Sequence, residues 1–232
     1  VSKFIINLLQ KSCQTFNLLP TSLVGCGKGT GRTLTSATGS VYECLVVMND
    51  VPLTQEQLNE VAKLSLVNMA SGYAKQIATT YDLVDAVMAA DMPCMPQVEP
   101  YFRITNVSMS HFDDMFKPTR NILFVDINPQ KYTQLKTKVS RDYWSKPQAV
   151  CRIQSPSQED FVAYWLAHGE EIREWFVGQE IQRQTKFYRA STNKNARALM
   201  QKQGYDMLIP EDYIVLMDTV LAGATTYSLR QP

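Results

Sequence analysis

The feature that most constrains the fold is a short apolar stretch near the middle of the chain, residues 121–128, with the sequence NILFVDIN. Pro118 precedes it and Pro129 closes it, and most of its residues are apolar or favour β structure. A run this short and this apolar predicts a strand that is buried on both faces, rather than a helix. The rest of the chain must then supply the layers that pack on this strand.

Other segments predict the elements around this strand. Apolar and alternating runs predict strands at 41–48, 101–107, 136–144, 148–153 and 213–217. Helical spacing and capping residues predict helices from Thr54 past residue 71, over 74–90, from Ser157 to about residue 181, and over 193–203. We therefore expect an α+β fold: a mostly antiparallel or mixed sheet with helices packed on one face, in a two-layer sandwich.

The N-terminal segment predicts export and lipid attachment. Residues 16–25 form a short apolar region, and the four residues that end at Cys26 match a bacterial lipobox, LVGC. In that motif the cysteine thiol carries the lipid as a thioether and becomes the new N-terminus. The alternative is an amphipathic helix with a chance cysteine.

These features predict four regions along the chain. They are a signal peptide over 1–25, a lipidated cysteine and flexible tether over 26–40, a single α+β domain over 41–218, and a poorly ordered tail over 219–232. The tether is rich in Gly, Ser and Thr, which favours flexibility. It departs from a phosphate-binding loop because Cys26 stands where the first Gly of that motif is needed.

Composition excludes several classes of protein. The net charge of +1 argues against a general polyanion binder, and no apolar run reaches the roughly 18 residues that span a bilayer. With Cys13 removed and Cys26 lipidated, three cysteines remain, Cys44, Cys94 and Cys151. Because this number is odd, a full disulfide framework is excluded, and Cys44 and Cys151 are predicted to be small buried apolar residues.

No set of acid, base and nucleophile emerges from the sequence, so we predict no catalytic residue, no metal and no cofactor. The two histidines, His111 and His168, lack further ligands at metal-binding spacing, and His168 is predicted to be packed or at the rim of a helix. Asp126 is the carboxylate of most interest. A hydrolase would need a second acid opposite it, and the alternative is a carboxylate that reaches solvent or pairs with Arg120 or Arg141.

A basic run with interleaved aromatic residues lies between residues 131 and 146. Its lysines predict an edge strand, because charged side chains discourage further strand pairing. Such a run is able to bind an anionic polymer, and an exported domain would meet glycans or lipid head groups there rather than nucleic acid. The alternative is a solvated hairpin. The possible ligand-binding residues are Asp126, Lys136, Lys138, Arg141 and Trp144.

Several of these segments together resemble one family, over about residues 23–217. They are the lipobox, 44–48, 96–102, 120–127 and 144–148. The family consists of uncharacterised bacterial envelope lipoproteins and is known only as a domain of unknown function. Its motifs carry no known chemistry, so the resemblance implies a place in the cell envelope but no catalytic residue.

The resemblance also bears on the C-terminus. Family members usually continue with further strands, whereas this chain stops after a tail without sustained apolar periodicity. We therefore expect a truncated copy, a mobile segment from about Ala222 to Pro232, and an exposed surface that favours self-association.

On this reasoning we expect an envelope lipoprotein that is anchored to a membrane through Cys26. Its domain would face the periplasm and bind or scaffold an envelope protein or glycan. Two alternatives stay open: a hydrolase of envelope polymers that acts through acidic residues, and a binder of anionic polymer through residues 131–146.

Overall fold

A computed structural model describes residues 34–68, 77–202, 204–221 and 224–230. The chain divides into two compact units, residues 1–178 and residues 179–232. The sequence had predicted a single domain over 41–218, and this division was not anticipated. Cys26 and the predicted signal peptide lie outside the described residues. Within the described ranges, no helix has the length and apolar character needed to cross a membrane.

Among its described residues, the first unit contains seven strands, two whole helices and part of a third. Its strands are β1 Thr35–Ser36, β2 Glu43–Met48, β3 Arg103–Val107, β4 Asn121–Ile127, β5 Lys136–Arg141, β6 Ser145–Lys146 and β7 Ala149–Ser155. Its helices are α1 Gln55–Asn68, α2 Thr80–Met88 and α3 Gln158–Ala190, which continues into the second unit. The second unit also contains α4 Lys194–Lys202, β8 Ile214–Leu221 and β9 Ala224–Arg230.

Five strands form the main sheet, in the order β3-β2-β4-β7-β5. The α+β class, the mixed sheet and the helices packed against it are confirmed. The expected predominance of antiparallel pairs is corrected: β3, β2, β4 and β7 are mutually parallel, and only β5 runs antiparallel to its neighbour. The physical reason is that long crossovers, such as α1 and α2 between β2 and β3, return the chain to the same end of the sheet.

Strand β4 lies inside the sheet, as predicted, between β2 and β7. Its first five residues are buried, and Val125 is only 2% exposed. On one face of the sheet, Leu123 and Val125 join a core that includes Trp165 and Phe176 of α3. Side chains of α1 and α2 enter the same core, so this face is the helix side of the sandwich.

Two of the predicted helix starts, those of α1 and α3, are confirmed by their capping hydrogen bonds. The helix predicted over 74–90 instead begins at Thr80, with Thr79 as its N-cap. Before α1, the Gln57 amide donates to Thr54 Oγ1 at 3.3 Å, and Gln57 Oε1 accepts from the Thr54 amide at 2.9 Å. Before α3, Ser157 Oγ accepts from the Asp160 amide at 3.0 Å. These bonds satisfy amide groups that the first turn of a helix leaves without partners.

Both ends of the predicted domain differ from expectation. The tether predicted over 26–40 does not extend through its last residues, because β1 pairs with β6 and the Thr38 amide donates to the Pro118 carbonyl at 2.9 Å. At the other end, β8 continues to Leu221 and pairs with β9, so the expectation of a tail without a further strand is wrong. Thr225, Thr226 and Tyr227 favour β structure, which accounts for β9.

Candidate ligand-binding face

The second face of the main sheet, called here the aromatic face, carries the candidate site. It is built on Leu45, Val47, Ile122, Phe124 and Val150, with Phe112, Phe116 and Trp144 packed against them. Residues paired across neighbouring strands project from the same side of a sheet. The register therefore places Lys138, Arg152 and Phe124 in one row across this face. The next row contains Lys136, Gln154 and Asp126.

Arg152 is held among three aromatic rings on this face. Its guanidinium carbon lies 4.6 Å from the ring centre of Tyr143 and 5.2 Å from those of Phe124 and Trp144. Cation–π contacts of this kind fix a guanidinium group while leaving its edge N–H donors available. In the part of the chain that the structure describes, Arg152 forms no ion pair and no hydrogen bond through its side chain. It is thus a partly buried, positioned cation without an anion.

The rings around Arg152 are packed on each other as well. Trp144 lies 5.8 Å from Phe124 and 4.5 Å from Tyr143 between ring centres, and the latter pair is edge-on. Phe112 stands edge-on to Phe124 at 4.8 Å. Tyr143 is the outermost ring, with 51% of its surface exposed. The cluster is therefore rigid on its inner side and open to solvent at Tyr143.

Asp126 anchors a second polar group at the carboxyl end of β4. Its Oδ2 accepts a hydrogen bond of 2.8 Å from Lys131 Nζ and one of 2.5 Å from Tyr132 Oη. Gln154 Nε2 on β7 donates to the same Tyr132 oxygen at 3.1 Å. A local turn brings these partners together, because Asn128 Oδ1 accepts from the Lys131 amide at 3.1 Å and folds the chain back over β4.

The electrostatics of Asp126 argue against a role as a proton donor. Burial raises its pKa, but hydrogen bonds from Lys131 and Tyr132 together with the Lys131 charge outweigh burial, so the pKa lies below its ordinary value of 3.8. The general acid of a glycosidase needs a raised pKa instead. Asp126 is therefore an ionised carboxylate that neutralises Lys131. The alternative pairing with Arg120 or Arg141 is not supported, because the register places both at the opposite end of β4.

The lowered pKa of Asp126 predicts an acid-dependent loss of stability. A carboxyl group with a depressed folded-state pKa stabilises the fold above its ordinary pKa and loses that effect as pH falls through the folded value. Asp126→Asn is expected to lower the free energy of unfolding by about 1–2 kcal/mol at neutral pH. The deficit relative to wild type should shrink at pH values below 3.8.

Urea unfolding at a series of pH values measures this effect. Glu170→Gln, an exposed change on α3, removes the same charge and serves as the control, with little effect at any pH. A deficit for Asp126→Asn that stays constant down to pH 2 would show that the carboxylate charge is not the stabilising feature.

The structure brings together four of the five predicted binding residues. Lys136 and Lys138 are exposed on β5, and in the described part of the chain neither ammonium group has an ion-pair or hydrogen-bond partner. They share the aromatic face with Asp126 and Trp144. Arg141 is separated from them, because it pairs with Ala149, which belongs to the core on the helix side. The predicted strand 136–144 ends early, since Asp142 has a φ of +51°.

Gln148 holds the segment that carries Trp144. Its Oε1 accepts from the Trp144 amide at 2.9 Å, and its Nε2 donates to the Lys117 and Thr119 carbonyls at 2.6 and 2.7 Å. The side chain is 2% exposed. The buried Gln148 amide thus links the loop before β4 to the segment before β7. This link holds the Trp144 backbone in a fixed position relative to the sheet.

The comparisons with known proteins place this face inside a family. Residues 62–189 match a family described as a domain of unknown function, DUF8532, and this range covers more than half of the chain. The chain is a member of the DUF8532 family. The DUF8532 range includes β3 to β7 and with them Asp126, Lys138 and Arg152. No curated protein and no solved structure matches the chain significantly.

Sequence reasoning missed Arg152 and Gln154 as parts of this DUF8532 face, and it included Tyr132 only as one of the aromatic residues interleaved in the basic run. A signal for two of them was present, because Arg152 and Gln154 are polar residues at alternate positions of an otherwise apolar strand. Such alternation marks one face of a strand as less buried than the other. The hydrogen bond from Tyr132 to Asp126 carried no comparable signal, since Tyr132 lies in a loop.

The remaining predicted groups lie elsewhere. His168 is partly exposed on α3, and its Nδ1 lies 3.1 Å from Glu171. His111 is exposed and contacts Ser108. Among the described residues, no group of His, Cys, Asp or Glu side chains is placed to hold a metal ion. Cys44 and Cys151 are buried as predicted, and burial raises the pKa of the Cys151 thiol to about 12.

A depression among the described residues lies in the second unit. It has a volume of about 390 Å³ and is lined by Phe187, Tyr188, Ser191, Pro210, Glu211, Asp212 and Tyr213. Phe187 is 67% exposed, so the depression is open rather than enclosed. It contains none of the positioned, unpaired cations that distinguish the aromatic face, which we therefore take as the candidate site.

Proposed function

We propose that this chain is an envelope lipoprotein, anchored to a membrane through Cys26, whose domain binds an anionic glycan on its aromatic face without catalysing a reaction. The observation that carries the binding function is the set of unpaired cations, Lys136, Lys138 and Arg152, beside exposed aromatic surface. The lipobox at Cys26 and the resemblance of the chain to bacterial envelope lipoproteins support the anchor.

The position of β1 limits how far the domain can stand from its anchor. Thr35 pairs with β6 beside the amino end of β4, and it lies nine residues after Cys26. A chain of that length spans at most about 32 Å. The amino end of the sheet would therefore stay close to the membrane, with Asp126 at the opposite end of β4.

The anchor is tested by metabolic labelling with a palmitate analogue in cells that produce the full chain. We expect the wild-type chain to be labelled and to sediment with membranes, and Cys26→Ala to lose both properties. Cys94→Ala, which removes an exposed cysteine on the domain, should keep them. Label that persists in Cys26→Ala would contradict the anchor.

The proposed binding depends on charge in a measurable way. Association of cations with a polyanion releases counterions, so the logarithm of the affinity falls with the logarithm of salt concentration. With an acidic polysaccharide such as polygalacturonate, the double variant Lys136→Ala/Lys138→Ala should weaken binding and reduce the slope of that plot by about 1–2. The measurement is a titration of the full chain over about 50–200 mM salt.

The matched control makes the same change of charge in the second unit. Lys194→Ala/Lys202→Ala removes two exposed lysines of α4. The affinity of this control variant for the acidic polysaccharide, and the slope of its salt dependence, should equal the wild-type values. Equal losses in the two double variants would show that net charge, and not the aromatic face, governs binding, and a chain that binds no acidic polysaccharide would overturn the proposed function.

A further inference from the structure

We propose that Arg152 and Tyr143 form a subsite that binds one oxyanion carried on a sugar ring, and that Arg152 determines the selectivity for acidic over neutral sugars. This inference deepens the proposed function and rests on it for the kind of polymer. It identifies a residue that gives chemical selectivity, whereas Lys136 and Lys138 supply general attraction.

The geometry around Arg152 separates it from an ordinary surface cation. A surface lysine is mobile and fully hydrated, but the Arg152 guanidinium is partly buried and lies within 5.2 Å of three ring centres. Its orientation is thus fixed before any ligand arrives, which reduces the entropy that binding would otherwise cost. A guanidinium group carries its N–H donors in a fixed planar fork, which matches the oxygens of a carboxylate or phosphate.

Arg152 has no anionic partner among the described residues, and this indicates the kind of ligand that it would bind. Asp126 is the nearest carboxylate in the register, one row along the sheet, and it already accepts hydrogen bonds from Lys131 and Tyr132. In the described residues no carboxylate pairs with Arg152. A positioned guanidinium without a partner fits a planar or tetrahedral oxyanion, which it binds through two parallel hydrogen bonds. Lys138, its neighbour on β5, adds positive charge beside it.

The aromatic residues favour a sugar over a nucleic acid. Binding of single strands uses flat aromatic platforms on which successive bases stack. Here Trp144, Phe124 and Phe112 are packed edge-on or tilted against one another, so their faces are used within the protein. Tyr143 alone is half exposed, and it stands directly beside Arg152. One exposed aromatic ring, Tyr143, beside one cation, Arg152, provides the contacts that a single acidic sugar unit requires.

The first test observes Arg152 directly in the full chain. Its Nε–H resonance is assigned by its loss in Arg152→Gln, and it is followed by NMR during titration with galacturonate, with glucose 6-phosphate, with inorganic phosphate and with the methyl ester of galacturonate. We expect a shift with the two acidic sugars, a weaker response to inorganic phosphate, and none with the neutral ester. The stronger of the two acidic responses identifies carboxylate or phosphate as the preferred group. An equal shift with the ester, or no shift with either acid, would overturn the inference.

The second test compares affinities for oligogalacturonate and for its fully methyl-esterified form, which keeps the sugar and removes the charge. Wild type should prefer the acid. Arg152→Lys, which keeps the charge but loses the fork of donors, should bind the acid at least about tenfold more weakly. Arg152→Gln should lose the preference for the acid, and Tyr143→Leu, at an exposed position, should weaken binding of both forms.

These outcomes separate this inference from the proposed function. If Arg152→Lys and Arg152→Gln keep wild-type affinity and preference while the salt dependence through Lys136 and Lys138 is present, the subsite is wrong and the proposed function stands. If the polymer does not bind but acidic monosaccharides shift the Arg152 resonance, the subsite stands and the proposed polymer binding fails. A loss of thermal stability in the Arg152 variants with unchanged ligand preference would assign Arg152 a purely structural role.

Discussion

Val125→Asp is expected to lower the free energy of unfolding by about 4 kcal/mol, because it buries a charge that has no partner. Val125 is 2% exposed, and it lies between Met48 of β2 and Ile153 of β7 in the core on the helix side. For a chain of this size, that loss corresponds to a fall in melting temperature of roughly 8–16 °C. Thermal and urea unfolding of the purified variant measure it.

Val139→Asp provides a matched control for this prediction. It makes the same substitution in the same sheet, but Val139 is on the edge strand β5 and is 50% exposed. We expect its effect to stay within about 1 kcal/mol, since a carboxylate there remains hydrated. If Val125→Asp melts within about 2 °C of wild type, a shift smaller than even 1 kcal/mol would give, β4 does not have the interior position described above.

The parts of the fold that the sequence predicts are those that short-range patterns determine. The interior strand β4, the edge strand β5 and the capped starts of α1 and α3 each follow from composition or spacing within a few residues. Strand direction does not follow from such patterns, because it depends on where each connection places the chain. The mixture of hairpins and crossovers in the sequence suggested antiparallel pairing. The connections of the folded chain instead make the sheet mainly parallel.

The candidate site was predictable to a similar extent: the sequence shows which residue types are present but not which of them lie together. Asp126, Lys136, Lys138 and Trp144 were selected for their residue types, and the register brings them to one face. Arg141 was selected for the same reason, but alternation along β5 places it on the other side of the sheet. Arg152 was missed because its importance lies in contacts with Phe124, Tyr143 and Trp144, which are distant in sequence or lie across a turn. The alternation along β7 marks Arg152 as lying on the less buried face, but its contacts with the three rings are evident only in the three-dimensional structure.

Gln148→Leu is expected to destabilise the protein by about 3 kcal/mol and also to weaken ligand binding. The leucine fills a similar volume but removes hydrogen bonds to the Trp144 amide and to the Lys117 and Thr119 carbonyls. Each buried backbone group left without a partner costs about 1–3 kcal/mol, and entry of water would recover part of this loss. Because Trp144 is then no longer fixed above the sheet, the ring cluster around Arg152 should loosen as well.

Gln154→Leu is the control, since it makes the same substitution in β7 at a position where the amide donates one hydrogen bond, to Tyr132 at 3.1 Å. Its effect should stay near 1 kcal/mol. Urea unfolding gives the stability of both variants, and the preference for acidic over esterified oligogalacturonate gives the state of the ring cluster. A Gln148→Leu protein that is destabilised but keeps the wild-type preference would show that Trp144 holds its position without the Gln148 amide, through its contacts with Phe112 and Phe124 alone.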